Sequence, residues 1–199
     1  MTNSEFQEIV SLGQEGMSTE FKTAHPWAGD EFKSKIAKSI LGFSNVRDGG
    51  RIIIGAAELE DNTYKFIGME DADIKTWCYD DVAAFVSNYA DPFVNFSIEQ
   101  VPFDGKIFVV VTISEFSELP VVCKQNGKAN LRKGAIYTRT RRIPETAEVP
   151  SQTEMREILD LAAVKLARKF LHTASDIGIH VPSGPTDSDK FQAQLGEFA

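Results

Sequence analysis

The sequence predicts an α+β fold: a mixed, largely antiparallel sheet flanked by helices, with a C-terminal helix and tail. Three observations carry that expectation. Apolar residues recur at helical spacing in four separate segments. Arg51-Ile52-Ile53-Ile54-Gly55-Ala56-Ala57 is apolar at successive positions, the pattern of a central strand buried on both faces. The second half then turns to β-rich runs around Asp104-Gly105 and Asn126-Gly127, the dipeptides favoured in two-residue hairpins. With 199 residues the chain is long enough to bury a proper core.

The elements follow in order. Residues 4–12 suit a short helix with Ser4 as cap, an apolar side of Phe6, Ile9 and Val10, and Gly13 as stop. Thr19 to Lys22 is a brief strand. A helix follows from about Asp30, its N-cap, to Ser44, with Phe32, Ile36, Ile40 and Phe43 as the buried stripe and Lys35 and Lys38 sharing a polar side. Asn45 to Gly50 is a turn feeding the central strand. Tyr64 to Met69 can form another strand, and Ile74 to Tyr89 a second long helix closed by Asp91-Pro92. Strands Val94 to Pro102 and Lys106 to Ser114 flank the first hairpin turn, and Val121 to Lys124 and Asn130 to Thr140 flank the second. A last helix spans about Ser151 to Leu171, with Ser151 and Glu154 as a capping box and Met155, Ile158, Leu159, Ala162 and Leu166 as its apolar side. The domain division is therefore 1–150, a helix over 151–171 packed on it, and a tail over 172–199 that is flexible or docks on a partner.

Composition narrows the function classes. No apolar run could span a bilayer, the N-terminus does not read as a secretory signal, and two distant cysteines, Cys78 and Cys123, fit a reducing cytoplasm. The net charge is −8, yet it is unevenly distributed. Residues 124–142 hold Lys124, Lys128, Arg132, Lys133, Arg139, Arg141 and Arg142 with no acid, a third of all the positive charge. Such a stretch suits a phosphate-facing patch, or a solvated hairpin with its charges dispersed. No phosphate-loop run supports a nucleotide cofactor. His25, His172 and His180 have no zinc spacing to the cysteines. Trp27 suits a core position or a base-stacking one.

Four motifs stand in register. They are Glu15-Gly-Met-Ser-Thr-Glu20-Phe21-Lys22; Ile40-Leu-Gly-Phe-Ser-Asn45 followed by Gly49-Gly50-Arg-Ile-Ile-Ile-Gly55; Leu119-Pro120-Val121; and Leu131-Arg132-Lys133-Gly134. Together, over roughly residues 8–160, they resemble the Schlafen AlbA-like family. Ala56-Ala57 departs from the family's usual run after Gly55, and Glu58 stands where an Asp is usual.

The resemblance implies a metal-dependent endoribonuclease acting on structured RNA such as tRNA, in the role of a stress or antiviral defence effector. It also implies Mg²⁺ or Mn²⁺ held by Glu15, Glu20 and Glu58, which would be both metal ligands and catalytic residues. A hard cation suits such a trio, because clustered carboxylates otherwise repel one another. Lys22, Lys38, Lys128, Arg132, Lys133, Arg139, Arg141 and Arg142 would contact the nucleic acid, RNA or DNA. A homodimer would extend so short a groove. Two other readings stand beside this one: a non-catalytic DNA- or RNA-binding regulatory module, and an assembly or sensor subunit that docks through its tail.

Overall fold

A computed structural model describes residues 2–60, 63–141 and 144–179. The elements run α1 (Asn3–Leu12), β1 (Thr19–Lys22), α2 (Asp30–Ser44), β2 (Gly50–Ile54), β3 (Ala56–Glu58), β4 (Tyr64–Phe66), α3 (Asp71–Ile74) and α4 (Tyr79–Ser87), then β5 (Ala90–Asp91), β6 (Phe96–Phe103), β7 (Lys106–Ile113), β8 (Val122–Cys123), β9 (Tyr137–Arg139), β10 (Thr146–Glu148) and α5 (Gln152–Asp176). The main sheet has the order β1-β2-β7-β6, with β1 and β2 parallel and the other pairings antiparallel. Three two-stranded ladders, β3-β4, β5-β8 and β9-β10, complete a mixed, largely antiparallel α+β architecture.

The apolar run of β2 is explained by what covers it. Ile52 and Ile54 join Val109, Val111 and Ile113 of β7 in the larger core, with Ile36, Ile40 and Phe43 of α2 and Val82 and Val86 of α4. Ile53 points the other way, into a second core with Phe6 of α1, Phe21, Val101, Phe108 and Val110. Strand alternation thus places two separate apolar layers on one sheet.

Several expectations are corrected. The cap of α1 is Thr2, not Ser4, because Thr2 sets Glu5 at the position that closes a reciprocal capping box. Gly29 (φ 74°) precedes α2, and Asp30 becomes its first helical residue. The central strand stops at Ile54. Gly55 (φ 116°) gives its N–H to the Lys22 carbonyl and turns the chain out into β3. The long helix expected over 74–89 begins only at Tyr79, after the short α3 and a break that buries Trp77, whose Nε1 donates to the His25 carbonyl (3.0 Å). Thr76 Oγ1, in the same break, accepts the Trp27 N–H (2.7 Å). Trp27 is therefore a core residue, edge-on to Phe85.

The second hairpin turn lies at Lys128–Leu131 rather than at Asn126-Gly127. Ala129 and Asn130 take positive φ (53° and 59°), and the Leu131 N–H donates to the Lys128 carbonyl. Gly127 is needed for another reason: a Cβ there would sit 2.5 Å from the Tyr89 ring. β8 pairs with β5, and β9 with β10, in place of a ladder between residues 121–124 and 130–140.

The chain divides into two compact units, Met1–Ala162 and Ala163–Ala199. In the first, α5 buries Ile158, Leu161 and Ala162, while Leu159 is exposed. In the second, the helix continues through His172, which was expected in the tail, to Asp176. Leu166 there is exposed, and His172 pairs with Asp176 at 3.0 Å. The rest of the expected tail, 180–199, lies outside the described residues. Among the described residues no helix is long and apolar enough to cross a membrane.

Candidate functional site

The sequence pattern sends Glu20 and Phe21 to opposite faces of β1, and the structure keeps them there. Phe21 enters the smaller core, while Glu20 faces α2 and is buried, 4% exposed. Each Glu20 oxygen is engaged. Oε1 accepts from Ser39 Oγ (2.8 Å) and pairs with Lys22 Nζ (2.5 Å); Oε2 accepts from Arg139 Nη1 (2.8 Å) and Thr146 Oγ1 (3.4 Å).

Arg139 arrives from β9, 119 positions along the chain, and is 2% exposed. Its guanidinium lies 5.0 Å from the Phe43 ring centroid, and Nη2 donates to the Gly16 carbonyl (3.1 Å). The same Nη2 is 3.7 Å from Glu15 Oε2. Glu15 Oε1 in turn accepts the Phe21 N–H at 2.7 Å. Burial pushes the Glu15 carboxyl above the usual range; the Phe21 N–H opposes that rise and the Glu20 charge adds to it.

A cavity of about 360 Å³ opens over this node. Glu15, Glu20 and Arg139 line it, and Lys22, Lys35 and Lys38 stand around it. Lys35 and Lys38 are three apart on α2 and so share a face. Lys35 makes a loose exposed pair with Glu31 (3.9 Å), and Lys38 lies over the Tyr137 ring at 5.3 Å. Ala129 and Asn130, the left-handed turn beside Lys128, line the same cavity.

The expected metal trio is only partly assembled. Glu15 and Glu20 meet, but Arg139 lies between them. Glu58 is exposed at the end of β3 and does not line the cavity. All three carboxylates act on Tyr64, opposite Glu58 on β4, whose phenol is pushed up to about 12, by burial first and then by the charges of Glu15 and Glu58. Among the described residues no three His, Cys, Asp or Glu side chains are arranged to hold a metal ion. Arg139 and Lys22 balance Glu15 and Glu20 charge for charge, so a divalent ion would add two uncompensated positive charges. The donor set present does not fit Mg²⁺ or Mn²⁺.

The expected basic patch is dispersed by its partners. Arg132 pairs with Glu148, Arg141 with Glu157 (2.9 Å), and Arg139 is buried. Lys128 and Lys133 are exposed, and Arg142 lies outside the described residues. Sequence reasoning missed Ser39 and Tyr64, which no local signal links to Glu20 and Glu15, and gave Lys35 no role beyond sharing a polar side with Lys38.

Residues 15–147 match the family described as Schlafen, AlbA_2. No curated protein matches the chain. Among solved structures, the DIP2311 protein from Corynebacterium diphtheriae is similar with 13% identity and a TM-score of 0.48, over 73% of this chain and 26% of that one. This chain thus spans about a quarter of that protein's length. The second is the N-terminal domain of a protein from Nitrosomonas europaea, related by its name to the ATP-dependent DNA helicase RecG. It has 20% identity and a TM-score of 0.48, over 70% of this chain and 94% of that one.

Proposed function

The chain belongs to the Schlafen AlbA_2 family, a nucleic-acid-related group, and on that premise we propose that it binds nucleic acid by seating a phosphate backbone on the lysine rim of the Glu20–Arg139 cavity. One observation carries the reading: Lys35 and Lys38 from α2 stand at one opening, beside Lys22, which Glu20 holds. Lysines at such a mouth act as mobile point charges for phosphate oxygens. The paired carboxylates beneath would repel phosphate if bare, and Arg139 and Lys22 together balance them. The turn of Ala129 and Asn130, next to Lys128, borders the same opening.

The test is fluorescence anisotropy on labelled single-stranded RNA and duplex DNA across a salt series. Binding should weaken steeply with salt. The double variant Lys35→Ala/Lys38→Ala should flatten the slope of log K against log salt on single strands by about 1.4, at about 0.7 per phosphate contact. Unchanged affinity and slope would remove the reading.

The hydrolytic alternative is a divalent-metal-dependent endoribonuclease using Glu15, Glu20 and Glu58, and the meeting of Glu15 and Glu20 at one cavity speaks for it. It requires Glu20 to release Arg139. Cleavage of tRNA that needs Mn²⁺, stops with chelator and is lost in Glu58→Ala would establish it over the binding-only reading. Glu58 is exposed, so that variant leaves the core intact.

A further inference from the structure

We infer that Arg139 is a built-in counter-ion that takes the place of a divalent cation, so that this domain assembles its cavity without any metal. The inference concerns how the site is held together and stands whether or not the site binds nucleic acid.

The geometry has the features a cation site would need, with a guanidinium at its centre. Nη1 meets Glu20 Oε2 at 2.8 Å and Nη2 approaches Glu15 Oε2 at 3.7 Å, so one planar group spans two carboxylates. The same Nη2 collects the Gly16 and Thr19 carbonyls at 3.1 and 3.4 Å. Backbone and carboxylate oxygens are the donors a hard cation would collect. Here Glu20 Oε2 and the two carbonyls receive N–H groups instead, and Glu15 Oε2 stands in ion-pair range of the same guanidinium.

Three further facts make this arrangement a fixed part of the fold. Phe43 covers one face of the guanidinium. Arg139 is one of the three residues of β9, and Thr138 and Arg139 on that strand pair with β10. The Glu20 oxygens are filled by Ser39, Lys22, Arg139 and Thr146, which leaves no lone pair of Glu20 to coordinate a metal. Displacing the guanidinium would strand a buried positive charge, so a free cation competes poorly.

The experiment uses the full chain and Mn²⁺ as probe, read by electron paramagnetic resonance and by thermal melting at matched ionic strength. Wild type should leave the free-ion Mn²⁺ signal undiminished and its melting temperature unmoved. Arg139→Gln should melt about 10 °C lower, and Mn²⁺ should restore part of that loss while attenuating the free-ion signal, since Lys22 alone is then left to balance two carboxylates. Arg139→Lys, which keeps one positive charge, should melt between the two and ignore Mn²⁺. Wild type that binds Mn²⁺, with binding lost in Glu20→Gln, overturns the inference. So does a folded Arg139→Gln that ignores Mn²⁺. If Arg139→Gln does not fold, the wild-type titration and Arg139→Lys decide. Failure of the lysine-rim binding assay would leave these outcomes untouched.

Discussion

Glu15 and Glu20 are five residues apart and share a cavity, yet their surroundings differ. Glu20 is buried and served by four partners, and its loss would leave Arg139 charged in the interior with only the looser Glu15 pair at 3.7 Å. Glu20→Ala, the obvious catalytic probe from sequence, is therefore first a folding variant. Glu15 is burdened by burial, and its folded-state pKa lies above the ordinary 4.5. For a group whose pKa rises on folding, the stability it contributes is present below the unfolded value and is lost as pH climbs through the folded one. Urea unfolding of wild type and Glu15→Gln at a series of pH values should show this directly. The wild type's advantage should be largest below pH 4.5 and shrink above it. An advantage that grows with pH would mean that Arg139 and Lys22, not burial, govern the group.

At the scale of elements, Asn45 explains why α2 ends where it does. Its side-chain amide donates to the carbonyls of Val121 (2.9 Å), Tyr137 (2.9 Å) and Leu41 (3.3 Å), and its Oδ1 accepts the Val121 N–H (2.8 Å). One buried residue thus fastens the helix to the segment before β8 and to β9, the strand that carries Arg139. Asn45→Ala should cost about 3 kcal/mol, because it strands several buried backbone groups at once. Chemical denaturation measures this; a loss under about 1 kcal/mol would show that water replaces the amide. The neighbouring Gly49 has an equally local reason: at φ 70°, a Cβ would lie 2.0 Å from the Ile113 carbonyl oxygen. Both residues belong to the motif that the sequence shares with its family, and in each case the geometry makes the motif structural.

Across the whole molecule, the sheet works as a partition. One face meets α2 and α4, the other α1, and the site forms beside the first, where β1, α2 and β9 converge. The first half of α5 closes the larger core through Ile158, which is 3% exposed, whereas its neighbour Leu159 is 55% exposed. Ile158→Ala should then destabilise by about 2–4 kcal/mol, and Leu159→Ala by no more than about 0.5 kcal/mol. Equal losses in a thermal or urea melt would mean that the helix docks by another face. The charge pattern resolves at this scale too. In the basic stretch Arg139, Arg132 and Arg141 pair with Glu20, Glu148 and Glu157, which leaves its lysines exposed.

The sequence by itself determined the elements whose signals are local. Apolar spacing marked β1, α2 and β2, and Asp104-Gly105 marked the β6-β7 hairpin with both residues at positive φ. It also carried the family, because glycines at close approaches and a buried asparagine leave their mark at fixed spacing. It misplaced the second hairpin turn, since Gly127 answers to the Tyr89 ring and not to its own backbone. Only the tertiary structure decided what the acids and bases do. A charge takes its meaning from the group opposite, and Arg139 meets Glu20 across 119 residues, a distance over which no periodicity persists. That pairing converts an expected metal ligand into half of a buried ion pair and an expected phosphate contact into the other half.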